Sequence, residues 1–295
     1  MSIIIGLSLL GCKTIILDDD PIVATIPENL ELIKIPAGAY LSGKTGIEKY
    51  IEYDYSIMKY PVTNAQYIEY LKEASKNGNI NITSQTVTGY YHGDENWPSG
   101  IYEFADFNDS NSRIGFNPPD NFVIKWRWVE TRKEGYDKHP VIEITWFGAN
   151  AFAEYYGLRL PTKEEWEKAA RANTVNKYSW GNDFDSTSVN YSNSGDIYDN
   201  DTTPVGFYNG ENNTTNSYSP YGIYDMSGNV WEWTNSWKDQ SPGKVLKGGS
   251  WQSFYIFKND VEPKYSELFT WFEPTYGYEP NNSSSAIGFR CVKIL

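Results

Sequence analysis

Apolar and polar positions in this 295-residue chain hold a helical period in three short windows; elsewhere they alternate briefly and break off. Leu32-Ile33-Lys34-Ile35 predicts a strand that turns at Pro36-Ala37-Gly38. Thr63, with Gln66 three residues later, makes a capping box in which each side chain satisfies a backbone N–H left free at a helix start. The helix is expected to reach about Ala74, to bury Tyr67, Leu71 and Ala74, and to stop at Gly78. Ile142-Glu143-Ile144 predicts a strand end, with Thr145 as N-cap of a second helix through Tyr156 and Gly157 as its C-cap. Thr162 and Glu165 form another capping box ahead of a buried stripe of Trp166, Ala169 and Ala170.

Between these windows the pattern predicts irregular chain. Residues 79–138 read as excursions around short strands, with Phe122 to Val129 the best strand candidate. Residues 173–218 are rich in Asn, Asp, Ser and Gly, and predict a loop too long to be an idle connection. Such a loop is expected to be stitched by ions, water or function. Near the C-terminus, Gly248-Gly249-Ser250-Trp251 and Gly288-Phe289-Arg290 look like constrained backbone. The stretch between them is aromatic and irregular, which suits a binding surface carried on loops or, equally, a loop-rich core edge.

Composition sharpens the picture. Tyr (24) and Trp (11) are abundant in a chain that is 40% hydrophobic, so aromatics are expected to fill gaps between irregular segments. A formal charge of -13 repels phosphate backbones and excludes nucleic acid as a natural partner. The two cysteines, Cys12 and Cys291, lie at opposite ends and form no CxxC, and the two histidines, His92 and His139, read as structural or surface residues. Residues 1–12 form an uncharged apolar run too short to span a bilayer. Leu9-Leu10-Gly11-Cys12 resembles the end of a bacterial lipoprotein signal, with Cys12 as the lipidated residue. Residues 13–29 then read as a tether, and residues 30–295 as a single domain.

Several blocks in order carry a family resemblance: Ile35-Pro36-Ala37-Gly38, Tyr60-Pro61-Val62-Thr63-Asn64, His139-Pro140-Val141, and Leu158-Arg159-Leu160-Pro161-Thr162 with Glu164-Glu165-Trp166. Asp225-Met226-Ser227-Gly228-Asn229-Val230-Trp231-Glu232-Trp233, Gly248-Gly249-Ser250-Trp251 and Gly288-Phe289-Arg290 complete the set. From about residue 30 onward the chain resembles the formylglycine-generating-enzyme, or sulfatase-modifying-factor, family. That resemblance implies an α+β, elaborated C-type-lectin fold with few helices, short antiparallel strands and much loop. Oxidase members of the family carry two copper-binding cysteines after the Gly-Gly-Ser block, whereas residues 252–287 here contain none. A thiolate is required both as soft ligand and as nucleophile, so a non-catalytic role is expected.

The resemblance is strongest to the variable proteins of diversity-generating retroelements, notably treponemal variable lipoproteins. It implies an outer-membrane lipoprotein of the bacterial surface whose region 248–290 is rewritten to bind varied protein or other extracellular ligands, with membrane contact through the lipid alone. Adenine-directed change in Asn-type codons yields Tyr, Phe, Ser, Asp, Ile, Val or Asn, but never Trp, Lys, Glu, Gln or Met. The implied contacts are Ser253, Phe254, Tyr255, Phe257, Asn259, Asp260, Tyr265, Phe269, Tyr276 and Tyr278. Trp251, Gln252, Lys258, Glu262, Lys264, Glu267, Trp271, Glu273 and Glu279 would be scaffold. No cofactor is required by this reading. A structural Ca2+ is implied by resemblance at Asp225, Gly228, Val230 and Glu232; the alternative is that the two carboxylates merely cap backbone donors in a tight turn. Two other functions stay open: an enzyme of the same family with altered chemistry, or a structural lipoprotein of the gliding-motility type.

Overall fold

The computed structural model describes residues 23–118, 121–129, 132–239, 242–253, 270 and 277–295. Cys12 and the tether up to residue 22 lie outside them. In chain order, β1 (Leu32–Ile35), β2 (Gly38–Ser42), β3 (Ile47–Ile51) and β4 (Tyr55–Met58) precede α1 (Asn64–Lys76). Seven short strands follow: β5 (Ile80–Ile82), β6 (Thr86–Tyr91), β7 (Gly100–Asp106), β8 (Ile114–Asn117), β9 (Asn121–Ile124), β10 (Trp126–Val129) and β11 (Arg132–Gly135). Then come α2 (Trp146–Tyr155), α3 (Lys163–Arg171), β12 (Trp231–Trp237), β13 (Lys244–Lys247), β14 (Ile287–Gly288) and β15 (Val292–Ile294).

Helix starts form where the caps predict. Gln66 N–H donates to Thr63 Oγ1 (3.3 Å) and Thr63 N–H returns a bond to Gln66 Oε1 (2.9 Å). Thr162 and Glu165 repeat the exchange, and Gly148 N–H donates to Thr145 Oγ1. The first helix runs two residues past Ala74, to Lys76, and Gly78 follows at φ 73°, a left-handed geometry that favours glycine. α2 is buried through Trp146, Phe147, Ala149, Phe152 and Ala153, as suits a helix apolar on several sides. Gly148 is required there, because a Cβ would stand 2.2 Å from the Phe104 carbonyl oxygen.

Two expectations need correction. The Phe122 to Val129 strand is broken at Lys125, whose N–H goes to the Arg113 carbonyl and whose own carbonyl takes Tyr136 N–H. β9 therefore pairs with β8, and β10 with β11. Ile142-Glu143-Ile144 does not end a strand: Glu143 adopts φ 56°, which turns the chain out of extended geometry.

The sheets are small. β4 joins β1 and β15, so the first and last strands share one antiparallel sheet. β12 pairs antiparallel with β13 and parallel with β14. β5, β6 and β7 form a meander beside α2. Two apolar clusters hold the layers together. One joins α1, α2 and the meander through Tyr67, Leu71, Phe104 and Phe152; the other gathers Tyr40, Tyr55 and Ile57 around Trp166 of α3. Fully burying side chains of this size contributes about 1.5–3 kcal/mol each. The long loop from 173 is stitched by its own side chains. Asp196 accepts Tyr198 N–H (2.6 Å), Asn190 Nδ2 donates to the Asp201 carbonyl (2.8 Å), and Asp201 binds Arg113 and the Tyr136 hydroxyl.

A buried ion pair ties these parts together. Arg290, between β14 and β15, donates from Nε to Glu232 Oε2 and from Nη2 to Oε1, both at 2.7 Å. Its other donors reach the carbonyls of Met58 (3.1 Å), Lys59 (3.2 Å) and Tyr224 (2.8 Å). Trp166 Nε1 donates to Glu232 Oε2 at 2.8 Å, and both charged side chains have 0% exposure. Arg290→Met would leave that carboxylate buried without its counter-charge, and should cost about 3–5 kcal/mol. Arg290→Lys should recover little, since an ammonium cannot reproduce the bidentate fork. Urea midpoints at constant m-value are the measurement; an unshifted midpoint for Arg290→Met would remove the pair from this role.

Candidate ligand-binding surface

The tail leaves the core where β13 ends. Gly248 and Gly249 take φ 99° and 74°, which side chains rarely adopt, and swing the chain off the sheet. Gly228 N–H donates to the Gly248 carbonyl and Trp251 N–H to the Asn229 carbonyl, latching this turn to residues 225–230. Ser250 and Ser253 close the turn reciprocally: Ser253 N–H donates to the Ser250 carbonyl (2.9 Å), and Ser250 N–H to Ser253 Oγ (3.0 Å).

The returning end is fixed beside the departing one. Trp251 Nε1 donates to the Ser285 carbonyl (2.9 Å) and Gln252 Nε2 to Ser285 Oγ (3.1 Å). Tyr278 and Lys244 exchange two backbone bonds, at 2.8 and 3.0 Å. The backbones pass so closely that a Cβ on Gly243 would lie 2.3 Å from the Gly277 carbonyl carbon. Midway, Thr270 is fully buried and binds residues 176 and 177 of the long loop through Oγ1 and N–H. Among the described residues the segment is thus pinned at both ends and at Thr270.

Two residues expected to contact ligand are scaffold as placed. Ser253 is 2% exposed, with its Oγ taken by the turn. Tyr278 stacks obliquely on Trp233 at 5.5 Å, and its hydroxyl donates to the Ser283 carbonyl. Phe254, Tyr255, Phe257, Asn259, Asp260, Tyr265, Phe269 and Tyr276 lie outside the described residues.

The calcium expectation does not fit the geometry. Both oxygens of Glu232 are committed to Arg290 and Trp166, and Asp225 Oδ2 accepts Gly206 N–H (2.7 Å). Burial pushes the Asp225 carboxyl up to about 6, against the lowering effect of that N–H. Among the described residues no three acidic, His or Cys side chains gather as a metal would need. The alternative, carboxylates that cap backbone donors, holds for Asp225 alone; Glu232 instead takes the side-chain donors of Arg290 and Trp166. His139 is buried with Nδ1 3.0 Å from Thr202 Oγ1, while Cys291 is fully buried and burial pushes its thiol well up, away from reactivity.

Glu143 is the residue that sequence reasoning missed. It is 5% exposed, accepts Ser283 Oγ at Oε2 (3.0 Å), and donates its N–H to the Ser284 carbonyl. It therefore supports the returning end from below. Burial, reinforced by Asp109 and Asp106, pushes its carboxyl up to about 7 against the opposing Ser283 bond and Arg113. The only sequence signal was a charge between Ile142 and Ile144. Because the folded value lies above the ordinary one, Glu143 lowers stability as pH rises from the usual carboxylate range through about 7. Glu143→Gln should raise the melting temperature at pH 8 and leave it nearly unchanged at pH 4. Equal shifts at both pH values would contradict a buried carboxylate at this position.

Comparison with known proteins places these features. Residues 23–295 match the model of the sulfatase-modifying factor enzyme 1-like domain. The chain is 28% identical to the inactive C-alpha-formylglycine-generating enzyme 2 of Bos taurus, covering 90% of this chain and 88% of that one. It is 27% identical to the serine/threonine-protein kinase pkn1 of Chlamydia pneumoniae over 89% of its length, but spans only 38% of that protein. PvdO from Pseudomonas aeruginosa has the same fold, with a TM-score of 0.58 at 18% identity, covering 90% of this chain and 94% of that chain.

Proposed function

Given that this chain belongs to the sulfatase-modifying factor enzyme 1-like domain family, we propose that it is a non-catalytic binding protein. The tail between Ser253 and Gly277 is its contact surface. The carrying observation is the pinning of that tail: its two ends are hydrogen-bonded to each other through Trp251, Gln252 and Ser285. A segment held this way can change side chains that its anchors do not use without disturbing the fold, because the anchoring bonds use backbone and scaffold groups. The residues around it supply no thiol: residues 252–287 lack cysteine, and Cys291 is enclosed. An inactive family relative of similar extent is compatible with loss of the chemistry.

The finer reading is a lipoprotein anchored through Cys12 on the bacterial surface, with the tail diversified by a retroelement. Tyr, Ser and Asn suit such a surface: rigid amphipathic area at low entropy cost, with adaptable hydrogen bonds. Among the described residues no helix is long and apolar enough to cross a membrane.

Sequences of this locus from several isolates test the reading. Phe254, Tyr255, Phe257, Asn259, Asp260, Tyr265, Phe269 and Tyr276 should vary, while Trp251, Gln252, Lys258, Trp271 and Glu279 stay fixed. Ser253 and Tyr278 should join the fixed set, because their polar groups are committed to the anchors. A reverse transcriptase and a near-identical template repeat should lie nearby. An invariant tail with neither element would sink diversification. Copper-dependent oxygen uptake with a Cys-containing peptide should be at background; turnover would restore the enzymatic reading.

A further inference from the structure

A second site lies at the other end of α2 from the tail. Trp146 N–H, at the helix start, holds the Pro280 carbonyl of the returning segment. Eight residues on, roughly 12 Å along the axis, Glu154 borders a half-open cleft of about 450 Å³. Its walls are aromatic: Tyr70 from α1, Tyr90 and His92 from the end of β6, Phe104 from β7 and Tyr155 from α2. Among the described residues, Glu154 supplies its one carboxylate, and no lysine or arginine lines it.

The walls are set in advance. Tyr70 and Tyr155 meet edge to face at 5.4 Å, as do Tyr90 and His92 at 5.1 Å. Asn77 Nδ2 donates to the Tyr155 hydroxyl (3.3 Å), and Asn150 Nδ2 donates to Glu154 Oε1 (2.9 Å), which orients the carboxylate. Tyr70 is 1% exposed and lines the cleft. The negative field of Glu154 reaches its hydroxyl and that of Tyr91, and it adds to burial in holding both phenols neutral.

Aromatic faces attract cations through their quadrupoles, most strongly where water is partly excluded. A carboxylate, a phenol hydroxyl and several aromatic rings lining one cleft together favour a positive group on an apolar stem. The volume is that of a small-molecule site, and the net charge of -13 draws cations toward the surface. We propose that this cleft binds an alkylammonium group, carried either by a free amine or by the lysine side chain of a peptide. Glu154 would pair with the charge, Tyr70 would take a hydrogen bond, and Tyr90, Tyr155 and Phe104 would enclose the stem. The site shares no residue with the tail anchors, so it stands or falls independently of the tail's role.

The test is titration of the full chain at pH 8 with n-butylammonium, 1-butanol and acetyl-Gly-Lys-Gly-amide, followed by calorimetry or ring-proton shifts. Butylammonium should saturate in the millimolar range (~1–10 mM), as suits so few atoms, with 1-butanol at least about tenfold weaker. Glu154→Gln, on an exposed side chain, should weaken the cation about tenfold without moving the melting curve. Tyr70→Phe should weaken it about threefold. Tighter binding of the tripeptide than of butylammonium would identify a peptide lysine as the source. Exclusion of the tripeptide would identify a free amine. Equal affinity for 1-butanol, or an unchanged affinity in Glu154→Gln, would overturn the proposal and leave an unspecific apolar cleft.

Discussion

Burying a guanidinium with a carboxylate is costly unless their donors and lone pairs find partners. Arg290 and Glu232 meet that condition by drawing on three separate parts of the chain. The carbonyls of Met58 and Lys59 end β4, that of Tyr224 opens the turn before β12, and Trp166 comes from α3. None of these groups is close to Arg290 in sequence, so the pair fixes the relative placement of elements that short strands alone would hold loosely. A fold with two- and three-stranded sheets has few ladder bonds in any one place. The ion pair compensates with direction: charge-assisted bonds in a dry site tolerate little displacement. It also explains why the tail can depart from the core so near the C-terminus. Glu232 on β12 and Gly288 on β14 are register partners, and Arg290 follows two residues later. The returning chain is clamped as soon as it re-enters.

How much was legible in the sequence depended on whether the deciding interaction was local. Thr63 with Gln66, and Thr162 with Glu165, act within one helical turn, so each capping box announced its helix and the buried stripe behind it. The strands of residues 79–138 were legible as a class but not one by one. What splits the 122–129 segment is a pair of bonds from Lys125 to Arg113 and Tyr136, twelve and eleven residues away. Glu143 was misread because a charge between two isoleucines fits an alternating strand, whereas its positive φ is imposed by Ser284 and Asp106, which the local pattern does not contain. The long loop was rightly read as loop. Its stitching was expected from ions, water or function; among the described residues Asp, Asn and Arg side chains bond the chain itself.

The calcium question turned on the same distinction. The family resemblance offers Asp225 and Glu232 as oxygen ligands on a tight turn, and a sequence carries no record of which cation meets them. In the fold that cation is a guanidinium. Once both Glu232 oxygens face Arg290 and Trp166, a metal at that carboxylate would have to displace bonds that hold β4 and α3 in place. Asp225, held at φ 58° with Gly206 N–H on its carboxylate, belongs to the same frame. The turn that carries these residues also grips Gly248 and Trp251, so the ion pair and the tail's departure point form one rigid unit.

Composition cannot separate the tail's walls from its contacts, because both use Tyr and Ser. The use of the hydroxyl can. Tyr278 donates its hydroxyl to the Ser283 carbonyl, and Ser253 accepts the buried Ser250 N–H, so replacing either would leave an anchoring group without that partner. A residue free to change must have a polar group that answers to solvent or ligand, not to the scaffold. By that criterion Trp251 and Gln252 belong to the scaffold, because their side-chain N–H groups hold the returning segment. The boundary of the proposed surface is drawn by hydrogen bonds and not by residue type.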